Sequence, residues 1–375
     1  MMKEKLKGLF HRQPKQYKAI SLSEITWQKF KREKMGMISL AFIILVAIVA
    51  LLGYLITPDQ TPYCNAQHLE IALRKPGFKV QMLYEKQPQD IEKRGPLQKM
   101  LFGQPAQYRT IPIDSYKVTG DTMTVVLFEQ DAAIGTESYA LSELRPEQPV
   151  ATQKFLLGTD RYCRDVLSQL MMGSRISLAV GFISVFIALI IGILVGATAG
   201  YFRGWIDDVL MWFINVVWSI PTLLLVIAIS FALGKGFWQI FIAIGLTMWV
   251  DVARVVRGQV ISLREQEFVE AGKALGYNSF HIILKHILPN VVGTLIVIAA
   301  SNFSSAIMLE AGLSFLGLGV QPPTPSWGIM LKENYAYIVL DKGYLDIVPG
   351  IAIMLLVLAF MLIGSALRNA MDVKN

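Results

Sequence analysis

Six stretches of about twenty apolar residues dominate this 375-residue chain, and each is long enough for a helix to cross a lipid bilayer. They run over Met37–Ile56, Ile176–Ala199, Val209–Leu233, Phe237–Val256, Val291–Leu309 and Ile347–Leu367. Five contain no Asp, Glu, Lys or Arg, and the fourth carries only Asp251 and Arg254 near its end. Gly and Pro blur the edges of the third and fifth. Composition points the same way: 54% of residues are hydrophobic and 17% charged, where a soluble domain has about a quarter charged. The expected fold is an all-α polytopic membrane protein with six transmembrane helices.

Charge sets the expected orientation. Ten Lys or Arg fall in the first 35 residues, against Glu4, Glu24 and Glu33. This places the basic segment 1–35 in the cytoplasm, ahead of a first span at 36–57 that is full membrane length and is read as uncleaved. Trp27 and Phe30 among lysines suit either an interfacial helix or a partly disordered tail. No aromatic-basic module accompanies the lysines, so the net charge of +7 is assigned to orientation and anionic headgroups rather than nucleic acid. Six spans return the C-terminus to the cytoplasm. The loop after span four, with Arg254, Arg257, Arg264, Lys273 and Lys285, then lies inside, while the loop after span three has only Lys235.

Residues 58–157 form a mixed α/β insert expected outside the membrane. Thr110–Val118 and Thr122–Phe128 flank Thr119-Gly120-Asp121 and read as a hairpin, and Phe78–Tyr84 reads as a further strand. Glu85–Leu101 has helical stretches broken by Pro88 and Pro96. The insert either docks a solute receptor or is a passive decoration. Cys64 and Cys163 both fall on the outer side, and nothing in their spacing demands a disulfide. Two cysteines and four scattered histidines offer no metal-ligand cluster, and no cofactor is expected. No Gly-x-x-x-x-Gly-Lys-Ser/Thr loop occurs, so any ATP hydrolysis belongs to another chain. The spans carry no nucleophile–base pair either, which excludes an intramembrane protease.

The polar interruption at 258–289 breaks the apolar pattern. Ser262 with Glu265 matches a capping box, so a helix is expected from there to Ala274 or Leu275, ending at Gly276. Asn278 or Ser279 can cap a second helix, with Ile282, Ile283, Ile287 and Leu288 supplying apolar contacts before Pro289 kinks the return to the membrane. Ala271 and Gly272 leave the first limb open to close approach. On physical grounds alone, such a pair serves equally as a linker between spans or as a docking element. Asn215, Ser301, Asn302, Ser304 and Ser305 are polar enough to line a path through the membrane, and equally able to bond helix to helix.

Glu270-Ala271, Gly276, His286 and Leu288-Pro289 resemble, in register, the "EAA" loop of ABC importer permeases. Gly272 stands in place of that pattern's second Ala. Leu157-Gly158-Thr159-Asp160, Arg164-Asp165-Val166-Leu167, Ser219-Ile220-Pro221-Thr222, Leu313-Ser314-Phe315-Leu316-Gly317-Leu318-Gly319 and Leu367-Arg368-Asn369-Ala370-Met371-Asp372 narrow the resemblance. It is to the second, C-type, permease of dipeptide/oligopeptide transporters, over residues 25–57 and 157–375. Cys163 stands where that pattern has Gly.

The resemblance implies an ABC importer permease fold with a five-helix core at 158–375, moving short peptides across the cytoplasmic membrane. It implies four kinds of partner: a second permease in a heterodimer, two P-loop ATPases, an extracytoplasmic solute-binding protein and the lipid bilayer. Glu270, Ala271, Gly272, Leu275, Gly276, His286, Leu288 and Pro289 would form the ATPase-coupling loop, and Asn215, Asn302 and Ser305 would line the pathway. Nickel or another small solute remains open as cargo, as does a membrane scaffold or receptor that transports nothing.

Overall fold

The computed structural model describes residues 22–88, 91–129, 135–234 and 236–371. Residues 1–21 of the basic segment, Lys235 and Asp372 lie outside the described residues. The described residues start with α1 (Leu22–Arg32) and the first span, α2 (Lys34–Ile56). Phe30 of α1 is buried against Ala366 and Ala370 near the other end of the chain, while Ile25 and Trp27 stay exposed. That two-faced profile is the one a helix lying in the membrane interface needs.

The insert is a five-stranded antiparallel sheet of β1 (Phe78–Lys86), β2 (Tyr108–Thr119), β3 (Thr122–Leu127), β4 (Thr136–Ala140) and β5 (Val150–Phe155). Its spatial order is β4-β3-β2-β1-β5. The expected hairpin is present, pairing Thr119 with Thr122 around Gly120-Asp121. Alternation along β1 sends Leu83 into one cluster with Ile111, Ile113 and Val125, and Val80 and Met82 into another with Ile71, Phe155 and Cys163. The helical reading of Glu85–Leu101 is corrected. Glu85 and Lys86 finish β1, and the helix is α3 (Pro96–Phe102), with Pro96 at its first position. Proline starts a helix there because the first N–H has no intrahelical partner to lose.

The rest is helical: α4 (Val166–Phe202), α5 (Gly204–Trp218), α6 (Thr222–Leu233), α7 (Phe237–Arg264), α8 (Glu267–Ala274), α9 (Ser279–Ile282), a π turn at Ile283–Ile287, α10 (Leu288–Phe315), α11 (Trp327–Asn334) and α12 (Tyr344–Met371). Five helical runs are long and apolar enough to cross a membrane, and α5 with α6 makes a sixth candidate bent by 92°. The bend falls at Ser219-Ile220-Pro221. Pro221 lacks an N–H and disfavours a helical Ile220, so the third apolar stretch cannot run as one straight rod.

The bundle is organised around α4 and α7. Gly192, Gly196 and Gly200 recur every four residues on α4 and face α7. A Cβ at Gly196 would lie 2.4 Å from the Ala253 carbonyl oxygen, and one at Gly192 would lie 2.5 Å from Val252 Cβ. Small residues at this interval let two membrane helices touch backbone to backbone, which replaces the hydrophobic drive that lipid removes. Arg257 of α7 adds a bidentate ion pair to Asp207 of α5, both contacts at 2.6 Å.

Polar contacts tie the insert to the bundle. The Asp59 N–H donates to Ser168 Oγ at 2.9 Å, and the Asp165 carboxylate caps α4 by accepting from the Ser168 N–H at 2.8 Å. Buried Arg164 bridges Asp160 at 2.7 Å and Glu333 of α11 at 2.5 Å. Arg175 on α4 donates to the carbonyls of Ala50 (2.9 Å) and Leu51 (3.2 Å) in α2 and of Met100 (2.9 Å) and Leu101 (3.1 Å) in α3. Both cysteines are unpaired and buried in separate clusters. Burial pushes the Cys163 thiol up to about 11. Cys163 keeps a left-handed backbone (φ 65) where the family pattern has glycine, so the turn survives at the expense of strain, about 1 kcal/mol or more.

Candidate functional site

The polar segment after α7 folds into a compact element on the face of the bundle opposite the insert. The capping-box expectation at Ser262 and Glu265 is corrected: α7 continues through Ser262 to Arg264, and the next helix opens at Glu267 after Gln266. A helix arriving from the membrane already satisfies its N–H groups four residues back, so Ser262 has no orphan donor to cap. Glu265 instead pairs with Arg203, at the end of α4, at 2.9 Å.

α8 ends where the sequence indicates. Gly276 adopts φ +80, the left-handed C-terminal position that a side chain would strain. The chain turns through Tyr277 to Asn278, whose side-chain oxygen accepts the His281 N–H at 2.7 Å and caps α9. α9, the π turn and α10 form one helical run, Ser279–Phe315, of 37 residues. The extra residue per turn at Ile283–Ile287 lies immediately before Pro289, which occupies the first turn of α10. A π turn there spares the chain the clash a proline ring makes with a regular preceding turn.

The element has one packed side and one bare side. Val269, Gly272, Ile282, Ile283 and Ile287 are buried, with Ile287 and Val269 fully so, and Leu288 packs on the main core. Gly272 therefore faces inward, where an added Cβ would meet Tyr277 and Ile282 at 3.6 and 3.7 Å. Ala271, by contrast, is exposed. Outside lie Phe268, Tyr277 and Leu284, with Leu275 at 72% and Phe280 at 69% exposure. Glu267 and Glu270 occupy the first turn of α8 and Lys273 the last, the arrangement that suits the helix dipole. Glu270 is exposed and makes no side-chain bond among the described residues. The ring of His286 is half-buried and stacked on Tyr277 at 5.8 Å, and its Nε2 has no hydrogen-bond partner among the described residues. Pro289 is exposed.

The three polar residues read as pathway-lining do not form one group. Asn302 is buried, while Ser305, three residues further along α10, is exposed and bonds back to the Ser301 carbonyl at 3.4 Å. Asn215 on α5 is exposed and accepts from Arg254 Nη2 of α7 at 3.2 Å. The Arg254 guanidinium also stacks 4.1 Å over Trp218. That pairing joins residues 39 apart and has no local sequence signal. The α4 glycines did have one, a Gly-x-x-x-Gly-x-x-x-Gly run inside an apolar span. No group of three or more His, Cys, Asp or Glu among the described residues is arranged to hold a metal.

Residues 188–374 match the family described as "Binding-protein-dependent transport system inner membrane component", and residues 21–76 match "N-terminal TM domain of oligopeptide transport permease C". A solved chain of the MetNI methionine ABC transporter, in an inward-facing conformation, aligns with 54% of this chain and 97% of its own at 19% identity, with a TM-score of 0.46. The glutathione transport system permease protein GsiD of Pectobacterium atrosepticum is 39% identical over 218 residues, 58% of this chain and 72% of that protein. GsiD of Escherichia coli O6:K15:H31 is 42% identical over 217 residues, 58% of this chain and 71% of that protein. An identity of this level over more than two thirds of a relative decides membership: the chain belongs to the binding-protein-dependent inner membrane components, as a membrane-spanning, oligopeptide-type C permease subunit of an ABC importer.

Proposed function

We propose that this permease imports short peptides and that Glu267–Leu288 is where a separate P-loop ATPase docks. The observation that carries the docking reading is the bare side of an otherwise well-packed element. Leu275 and Phe280 are 72% and 69% exposed at the tip, outside the apolar stretches Phe237–Val256 and Val291–Leu309. Aromatic and aliphatic anchors of this kind supply most of the affinity at protein interfaces. In this reading Glu270 contacts the ATPase, Gly276 sets the turn, and Leu288-Pro289 joins the loop to span five. ATP closes two ATPases, draws the loops together, and rocks α7 and α10 with them.

A second permease completes the pathway as a heterodimer, and a solute-binding protein delivers cargo on the insert side. The N- and C-termini and the loop lie in the cytoplasm, in keeping with the basic N-terminal segment. Residues 58–157 form an extracytoplasmic unit and 158–375 the permease core. Peptide cargo is supported by relatives named for glutathione, a tripeptide.

The test is co-purification of the tagged chain with its partners from mild detergent. Leu275→Asp with Phe280→Asp is expected to remove the ATPases while retaining the second permease, and uptake of a labelled tripeptide falls with them. Retention of the ATPases by the double variant would sink the docking assignment. Glu270→Lys is expected to reduce uptake while leaving membrane insertion intact.

A further inference from the structure

α7 carries Asp251 and Arg254 in the half of the span nearer the docking element, three residues apart and so on one face. Gly258 and Ser262 continue that face, and Asp251, Gly258 and Ser262 are exposed while Arg254 is half-exposed. A polar stripe of this kind is not a lipid-facing surface. Ionisable residues within a span turn toward protein or a water-filled path. The lipid-facing profile in this chain is that of α2, where Leu45, Ile48 and Leu51 are exposed in a run without a charged residue.

Neither charge on this stripe has an ion-pair partner among the described residues. Arg257, one turn on, is held by both oxygens of Asp207 at 2.6 Å. Arg254 has no carboxylate partner among the described residues, although Asp251 is within one turn of it. Its guanidinium is instead aimed by two neutral groups, the Trp218 ring at 4.1 Å and the Asn215 amide oxygen at 3.2 Å. Stacking and one amide bond fix the direction of the fork without neutralising it, leaving donors free for a carboxylate. Asp251, three residues earlier on the same face, is exposed and its side chain makes no hydrogen bond or ion pair among the described residues, so its carboxylate can accept from an ammonium.

We propose that Asp251 and Arg254 are a substrate-contact site at the loop-side mouth of the pathway, which takes the terminal carboxylate of a passing peptide on Arg254 and its terminal ammonium on Asp251. Asn215 and Trp218 are positioning residues for Arg254. This proposal rests on the peptide-importer reading above and adds the residues that handle the zwitterion. Because α7 leads directly into the docking element, one helix joins the substrate contact to the ATPase contact.

The experiment uses the assembled transporter in proteoliposomes, with its ATPases, second permease and binding protein. Trialanine uptake and ATP hydrolysis are measured together. Arg254→Gln is expected to lower peptide imported per ATP hydrolysed by about tenfold, the scale of one charge-assisted hydrogen bond. Asp251→Asn is expected to act in the same direction, and Arg254→Lys, which keeps the charge without the stacked fork, to restore only part of the uptake. Unchanged peptide per ATP in both neutral variants overturns the site. So does loss of the second permease from the purified complex, which would make the stripe a subunit contact. A wild-type complex that hydrolyses ATP but imports no peptide sinks the peptide reading, and this site with it.

Discussion

Removing the Arg175 side chain should loosen the insert from the bundle without unfolding either. Four carbonyls depend on this one guanidinium. The bonds to Ala50 and Met100 are part-buried, each at 2.9 Å, and those to Leu101 and Leu51 are exposed at 3.1 and 3.2 Å. The Leu101 carbonyl can exchange to water at almost no loss and the Leu51 carbonyl, inside α2, keeps its intrahelical bond, so only the part-buried pair counts, at about 1 to 1.5 kcal/mol each. The stacking of Arg175 on Tyr54 at 5.2 Å adds roughly 0.5 kcal/mol. Arg175→Ala is then expected to destabilise the junction by about 3 kcal/mol. Arg175→Lys should recover less than half, since an ammonium cannot reach two helices through a planar fork. The assay is limited proteolysis of the protein in nanodiscs, read at Pro96–Gln104, alongside its thermal midpoint. The expected result is faster cleavage there and a lower midpoint, with the α4–α7 core still protected. If Arg175→Ala cuts no faster than wild type, the guanidinium is not what holds α3, and the reasoning fails.

Two glycine substitutions should move in opposite directions. At Gly196 the added methyl would meet the Ala253 carbonyl oxygen at 2.4 Å, and backbone cannot step aside, so Gly196→Ala should cost about 1 to 3 kcal/mol in thermal stability. Gly272→Ala places its methyl 3.6 Å from Tyr277 inside α8 and should instead stabilise that helix by up to about 1 kcal/mol, seen as slower amide exchange over Glu267–Ala274. The insert should weaken on acidification. Burial depresses the His68 imidazole below its ordinary value of 6.5, against the opposing pull of Glu70 and Asp59. The unfolded chain then takes up the proton first, so the stability is complete above about 6.5 and is lost as pH falls toward the folded value. Thermal melts should show the midpoint dropping from about pH 7.5 to about pH 5.5 in wild type, with a flatter profile in His68→Gln.

What the sequence made legible, and what it hid, divides by the range of the interaction. Five of the spans could be read because lipid tolerates only self-satisfied backbone, and the third run alone broke into two helices. The bend at Pro221, the stop at Gly276 and the cap at Asn278 are decided by one or two residues each. β4 and β5 were missed because they are short, polar edge strands, Thr136–Ala140 and Val150–Phe155, whose pairing is set by the sheet. Which side of α8 is bare depends on the register of its first turn. That register moved when α7 ran past Ser262, which turned Gly272 inward. Arg164 with Glu333, 169 residues apart, and Arg254 with Asn215 join distant segments, and no periodicity announces them.

The run from Ser279 to Phe315 is a single rod of 37 residues, roughly 55 Å long, thicker than the bilayer it crosses. One end carries the exposed Phe280. The other packs against α11, where a Cβ at Gly328 would fall 2.7 Å from the Ala311 carbonyl oxygen. A rod held near its middle behaves as a lever, and a tilt of about 10° would swing its two tips about 5 Å in opposite senses. The seat of α11 on the insert side is thus mechanically the far arm of the docking element. A clamp applied to either tip, such as a disulfide or an antibody fragment, would arrest the other without touching it.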